Sequence, residues 1–136
     1  MTHSGYEELP HTADWAMRVE STTLGGLFEQ AALGMQAMMG ISTYGDPPAS
    51  REFTASSDDV ETLLIKFLEE ILYLLEAENC HVAGITIKNI DETHLRADLD
   101  CRSVRSIEKE IKAVTFHQLE IRRKPSGYET VVVFDV

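Results

Sequence analysis

The residues best suited to chemistry stand near the two ends of the 136-residue chain. The segment LPHTADW places His11, Thr12 and Asp14 directly ahead of an alternating, strand-like pattern. Near the other end, Asp135 and Val136 follow the apolar run VVVF. Carboxylate oxygens, including the α-carboxylate of Val136, are hard donors of the kind that divalent cations such as Ca, Mg or Mn prefer. One hypothesis is therefore a metal site formed by Asp14, Asp135 and Val136.

A simpler interpretation of the two aspartates remains open at this point. A charge among β-branched residues is costly to bury unpaired, so Asp135 also fits a solvated strand end. Spacing alone favours that interpretation, because no local pattern brings residues 14 and 135 together. The metal site thus depends on the tertiary structure.

Two histidines and a lysine are further candidates for the same pocket. His11 and His117 are able to orient a proton or bind a metal, although a lone histidine in a loop more often has a structural role. Lys112 opens the segment KAVTFH, where a lysine suits a phosphate or an acidic group of a partner, and simple solvation is the commoner role. Neither histidine has a serine or cysteine nearby in a nucleophile motif, so the sequence indicates no catalytic residue.

The charge of the chain restricts its partners. The formal net charge is −11 at pH 7, from 23 acidic and 12 basic side chains. Because this surface repels a polyanion, autonomous nucleic-acid binding is not expected, and a protein partner or a metal cation suits the chain better. The sequence shows no leader pattern and no run long enough to span a bilayer, so we expect a cytoplasmic protein without membrane contact.

The two cysteines, Cys80 and Cys101, belong to no CxxC motif and have no adjacent histidine. Their spacing supports neither a disulfide framework nor a zinc site. The sequence therefore predicts two buried or idle thiols.

The elements that must position the candidate residues follow from the apolar spacing. Alternation predicts a strand over 13–20. Apolar residues at every third or fourth position predict a helix that begins at Leu24 and a second one after a capping box of Asp58 and Glu61. The remaining predictions are a loop over 41–50, a short strand over 51–55, a hairpin of 82–90 with 93–101, a turn or short helix over 102–110, and a hairpin of 116–123 with 128–136.

This order of elements predicts one domain over residues 1–136 with an α+β fold. Two helices with one apolar face each need a sheet to cover those faces. We therefore expect a two-layer sandwich, in which both amphipathic helices lie on one face of a mostly antiparallel sheet.

Four segments together resemble the archease family: YEELPHTADWAMRVESTTLGGLFEQAALGMQAM, DDVETLLIKFLEEILYLLE, KAVTFH and the final VVVFDV. The resemblance extends from about Tyr6 to Val136 in the family's order. It implies a small α+β protein that acts as a non-catalytic cofactor of an RtcB-type RNA ligase. Such a ligase joins tRNA halves with GTP and a divalent metal, and the cofactor helps to load guanylate onto the ligase.

The resemblance also implies roles for individual residues. The aspartate of the family's HTAD motif and its penultimate aspartate join in a metal-binding pocket, and they match Asp14 and Asp135. His11 and Thr12 then form one wall of that pocket. Lys112 and His117 match motif residues of the family. Phe116 stands where the family commonly has tyrosine, so a hydroxyl group is absent at that position.

Two other classes of function remain as alternatives. The first is a metal-dependent phosphoester hydrolase that uses Asp14, Asp135 and His117, although the sequence lacks an HxH-type cluster to hold a catalytic metal. The second is a general chaperone with the apolar helix faces as its client surface. The strict periodicity of both helices indicates instead that those faces are buried.

Overall fold

Among the described residues, two strands precede each of the two helices, and the elements after the second helix are all strands. The computed structural model describes residues 4–9 and 15–136. The elements are β1 (Gly5–Leu9), β2 (Trp15–Ser21), α1 (Leu24–Met38), β3 (Ile41–Thr43), β4 (Ala49–Ser56), α2 (Val60–Glu78), β5 (Cys80–Ile90), β6 (His94–Ile107), β7 (Ala113–Thr115), β8 (Arg122–Lys124) and β9 (Gly127–Asp135). This composition confirms the α+β class.

The strands form two antiparallel sheets. One has the order β1-β2-β9-β7, and β8 also pairs with β9. In the other, the long strand β6 pairs with β3, β4 and β5. Helix α1 packs against strands of both sheets. It does so because its buried residues form a wide stripe around the helix: Leu27, Phe28, Ala31, Ala32, Gly34, Met35 and Gln36.

Both helices begin with a side-chain cap. Thr23 Oγ1 accepts a hydrogen bond from the Gly26 N–H at 3.0 Å, which starts α1 at Leu24 as predicted. The predicted capping box of Asp58 and Glu61 is wrong. Asp59 has the extended backbone of an N-cap, and its Oδ1 accepts from the Thr62 N–H at 2.7 Å. Asp58 and Asp59 both stand three residues before a polar residue, Glu61 and Thr62 respectively. Only the extended backbone of Asp59 identifies it as the N-cap.

The hydrophobic core lies where the helices meet the sheets. Phe28 of α1 and Phe67 of α2 are fully buried, with ring centroids 6.0 Å apart. The ring centroid of Phe53 in β4 lies 5.7 Å from that of Phe67, and this contact packs α2 against the second sheet. Each buried aromatic ring of this kind contributes about 2 kcal/mol of transfer free energy. The contacts explain why α2 remains close to β4.

The hairpin of β5 and β6 surrounds the predicted Asp91-Glu92 turn, where Asp91 Oδ1 accepts from the N–H groups of Thr93 and His94 at 2.8 Å each. The predicted turn or helix over 102–110 is wrong over 102–107, because β6 continues there to pair with β3 and β5. The predicted strand over 116–123 is likewise wrong for most of its length. Of this segment only Arg122 and Arg123 belong to a strand, β8, whereas β7 ends before it at Thr115; both short strands pair with β9.

The prediction of two unpaired thiols is also wrong. Cys80 and Cys101 form a disulfide between β5 and β6, and they are only 3% and 7% exposed. The register pairs Val82 with Cys101 and Cys80 with Ser103, so the two cysteines are diagonal neighbours across the ladder. The predicted hairpin began at residue 82, and this start left Cys80 outside the strand.

We expect reduction of the disulfide to lower the free energy of unfolding by about 3 kcal/mol. The bond joins residues 21 positions apart, and closing a loop of this length restricts the unfolded chain. Urea unfolding with and without dithiothreitol measures the change. A double variant, Cys80→Ala with Cys101→Ala, serves as the control and should not respond to the reductant. Two titratable thiols in the untreated, unfolded protein would contradict the pairing.

Neither helix in the described residues has the length and apolar character needed to cross a bilayer.

Candidate functional site

The end of β9 carries the most conspicuous of the sequence candidates. Val132, Val133 and Phe134 are buried, and the chain then presents Asp135 to solvent. Strand β9 lies between β2 and β7, so its backbone is paired on both sides here. No described residue forms an ion pair or a side-chain hydrogen bond with the Asp135 carboxylate. The carboxylate is therefore held at a rigid strand end with its oxygens available to a ligand.

Lys112 lies beside that strand end. Its N–H donates a hydrogen bond to the Asp135 carbonyl at 2.8 Å, immediately before β7 pairs Ala113 with Asp135. The side chain of Lys112 is exposed. The structure thus brings together two predicted site residues that are 23 positions apart in the chain.

The structure does not place His117 with this pair. Strand β7 runs antiparallel to β9, so Thr115 lies opposite Val133 and the chain then leads away from Asp135. His117 is exposed, and its N–H donates to Thr115 Oγ1 at 3.2 Å. Val136 follows Asp135 directly and is 39% exposed.

The other three candidates, His11, Thr12 and Asp14, lie outside the described residues. Description of the chain resumes at Trp15, which pairs with Phe134, the residue before Asp135. The Nζ atom of Lys109 lies 4.7 Å from the centroid of the Trp15 ring, a cation–π contact. The sequence did not single out Lys109, because it stands in a charged stretch with no recognisable pattern.

Within residues 4–9 and 15–136, no group of three or more histidine, cysteine, aspartate or glutamate side chains is arranged to hold a metal ion. The donors that the end of β9 does offer are the Asp135 carboxylate and the oxygens of Val136. These are oxygen donors, which suit a hard divalent cation and do not suit a structural zinc. A cation here would need further oxygen ligands.

The comparison with protein families matches residues 6–136 to the Archease protein family. The chain belongs to the archease family. Protein archease of Methanosarcina barkeri is 34% identical over 140 residues, covering 96% of this chain and 95% of the relative. Protein archease of Thermococcus kodakarensis is 34% identical over 131 residues, covering 90% and 91%. Protein archease-like of Drosophila melanogaster is 30% identical over 140 residues, covering 96% and 90%.

Two solved structures share the archease fold with this chain. The solution structure of a Methanobacterium thermoautotrophicum protein has a TM-score of 0.70 at 24% identity and covers 97% of this chain and 99% of its own. The crystal structure of a Thermotoga maritima protein, described as an archease and possible chaperone, has a TM-score of 0.70 at 23% identity and covers 96% of both chains. Membership of the archease family is consistent with a non-catalytic protein.

A third histidine, His81, is half-buried in β5 opposite Arg102 of β6. Its buried Nδ1 atom has no hydrogen-bond partner among the described residues. Burial lowers the pKa of His81 below its ordinary value of 6.5, and the Arg102 guanidinium lowers this pKa further. The folded state therefore binds a proton on His81 less readily than the unfolded state does.

We expect His81 to reduce stability in acid. Because its pKa is lower in the folded state, the unfolded state binds more protons, and the free energy of unfolding falls as pH drops below the unfolded pKa of about 6.5. Urea midpoints at pH 7.5 and 5.5 measure the fall. His81→Gln should reduce the fall. Equal pH dependence in wild type and His81→Gln would contradict the assignment.

Proposed function

We propose that this chain is a cytoplasmic, non-catalytic activator of an RtcB-type RNA ligase in tRNA splicing or RNA repair. It would promote the GTP- and metal-dependent guanylylation of the ligase and carry no covalent intermediate itself. Membership of the archease family supports the proposal. The structural observation that supports it is Asp135 at the end of β9, whose carboxylate has no ion-pair partner among the described residues and whose backbone carbonyl accepts from the Lys112 N–H.

Asp14, Asp135 and an oxygen of Val136 are the residues that we propose to hold a divalent cation, either Ca, Mg or Mn. The oxygen donors at the end of β9 fit such an ion. When bound, it would neutralise phosphate charge near the nucleotide site of the ligase. The pairing of Trp15 with Phe134 supports the proposal, because Asp14 directly precedes Trp15 in the sequence and Asp135 directly follows Phe134.

The protein's own side chains would position the partner. The exposed Lys112 ammonium group is available for a phosphate or a carboxylate. We propose His11 and Thr12 as further contacts of the activator pocket, and His117, beyond the end of β7, as a contact of the partner outside that pocket. The net charge of −11 favours association with a basic, RNA-binding ligase and disfavours independent binding of RNA.

The description of the Thermotoga maritima structure as a possible chaperone suggests a second candidate function. A general chaperone needs an accessible apolar surface for its clients. The apolar faces of α1 and α2 are buried in the core of this chain. We therefore rank ligase activation above a chaperone function.

The test is guanylylation of a purified RtcB-type ligase by labelled GTP, with and without this protein, in each of the three metals. We expect faster labelling and multiple turnovers of RNA joining when the protein is present. A cognate ligase that works equally well without it would overturn the proposal. Incubating the protein alone with phosphoesters tests the hydrolase alternative in the same set of assays.

A further inference from the structure

An open groove with a volume of about 960 Å³ lies along β4 and α2. It belongs to the second sheet, whereas Asp135 belongs to the first. Its strand side includes Phe53 and Ala55, and its helix side consists of Lys66, Glu69, Glu70 and Tyr73. Tyr73 is 56% exposed, an unusual state for a large ring in a helix that is otherwise well packed. The groove combines an apolar floor with a charged wall.

Strand β4 is the edge strand beside this groove. It is eight residues long and pairs only with β6 among the described strands. The Ser57 N–H donates to the Thr93 carbonyl at 2.9 Å, one residue beyond the strand. Since antiparallel pairs alternate, the odd-numbered residues of β4 bond to β6, and Ser50, Glu52 and Thr54 direct their N–H and C=O groups to the open edge.

One outward carbonyl of this edge already shows that the edge accepts hydrogen bonds. Lys66 Nζ of α2 donates to the Ser56 carbonyl at 2.7 Å. The lysine thereby closes one end of the edge, as lysines do at many sheet edges. The backbone groups of Ser50, Glu52 and Thr54 remain open to an added strand.

The basic side chains along the groove have partners, whereas two of its acidic side chains have no ion-pair partner among the described residues. Arg96 pairs with Glu52 at 3.4 Å, and Lys66 is occupied by the Ser56 carbonyl. Glu69 and Glu70 form no ion pair with any described residue. Burial and the nearby Glu78 both raise the pKa of Glu70, although Arg51 opposes them. A cation placed against the two carboxylates would relieve this unfavourable environment.

We propose that β4 and α2 form a docking groove for an extended segment of a partner protein, which adds as a strand to β4 and places a lysine or arginine against Glu69 and Glu70. Main-chain hydrogen bonds to Glu52 and Thr54 supply affinity, as in other strand-addition complexes. Phe53 lies on the α2 face of β4, so the aliphatic stem of the basic side chains contacts its ring while their charged ends reach Glu69 and Glu70. The proposal is independent of ligase activation.

A second copy of this chain is a poorer occupant of the groove. Arg51 and Glu52 point to opposite faces of β4, so no antiparallel register of two β4 strands sets one against the other. Of the two centred registers, one opposes the two Glu52 residues and the other sets Glu52 opposite Thr54, so neither supplies a cation. An extended segment with a basic residue does supply one.

The test is an NMR titration of the full chain with two acetylated and amidated peptides, TVKVKVT and TVEVEVT. We expect the lysine peptide to shift the amides of Ser50, Glu52 and Thr54 and to slow their hydrogen exchange. Changing Glu69 and Glu70 to lysine should weaken its binding at least about tenfold and improve binding of the glutamate peptide. The control Glu76→Lys, also on an exposed position of α2, should change either affinity less than about twofold.

Two further variants test the main-chain contribution. Thr54→Pro removes an outward N–H, which an edge strand tolerates, and should abolish binding of the lysine peptide. If this variant does not fold, the lysine peptide with alternate N-methyl groups replaces it, and its binding should be lost in the same way. No binding of the lysine peptide, shifts confined to the end of β9, or a dimer that Thr54→Pro dissociates would each overturn the proposal.

Discussion

Asp135→Ala is expected to abolish the metal-dependent stimulation of an RtcB-type ligase. Its carboxylate is exposed at the end of β9 and has no described partner, so its loss removes a charged oxygen donor without disturbing the core. Loss of one such donor weakens binding of a divalent cation at least about tenfold. The initial rate of guanylylation, measured over a range of Ca, Mg and Mn concentrations, gives the effect. Asp14→Ala should behave in the same way.

Two controls separate a lost metal site from a lost fold. Glu92→Gln removes an exposed carboxylate in the β5–β6 turn and should leave stimulation unchanged. The melting temperature of the wild type should rise with metal concentration, since a ligand of the folded state stabilises it, and that of Asp135→Ala should not. Full stimulation by Asp135→Ala, or an equal metal-induced rise in both melting temperatures, would exclude Asp135 from the site.

Gln36→Leu is expected to lower the free energy of unfolding by about 4 kcal/mol. Gln36 is 1% exposed in α1, and its side-chain amide pairs with one residue of β5. Nε2 donates to the Val82 carbonyl and Oε1 accepts from the Val82 N–H, both at 2.9 Å. Leucine has a similar volume but leaves both buried backbone groups without a partner, and each such group costs about 1–3 kcal/mol.

Urea unfolding measures this change, with Gln30→Leu as the control on the same helix. Gln30 is half-buried and makes no hydrogen bond through its side chain in the described residues, so its replacement should alter stability by no more than about 0.5 kcal/mol. A Gln36→Leu variant within about 1 kcal/mol of wild type would show that water or a backbone shift satisfies Val82.

The helices were predictable because their signal is local. The apolar period of α2 and the Thr23 cap of α1 lie within a few residues of the hydrogen bonds that they support. Strand β1 was missed because its sequence, GYEEL, is short and three of its five residues are exposed. The second half of β6 was missed for a related reason, since its charged residues resemble a loop until β3 and β5 pair with them.

The candidate site was likewise predictable from the sequence only in part. The residue types at Asp14 and Asp135 indicated an oxygen-rich cation site from the sequence, and the family motifs specified which residues to join. Lys112 meets Asp135 only because β7 pairs with β9, and the same register separates His117 from them. The spacing of these residues in the sequence does not predict that strand pairing.

The sequence by itself determined the α+β class, the two amphipathic helices and the acidic character of this protein. Local hydrogen bonds, apolar periodicity and composition carry that information without reference to distant residues. Only the tertiary structure decided the division into two sheets, the disulfide between Cys80 and Cys101, the pairing of Gln36 with Val82 and the open edge of β4. Each of these depends on which strands become neighbours, and strand pairing between distant segments is set by the packing of the whole chain.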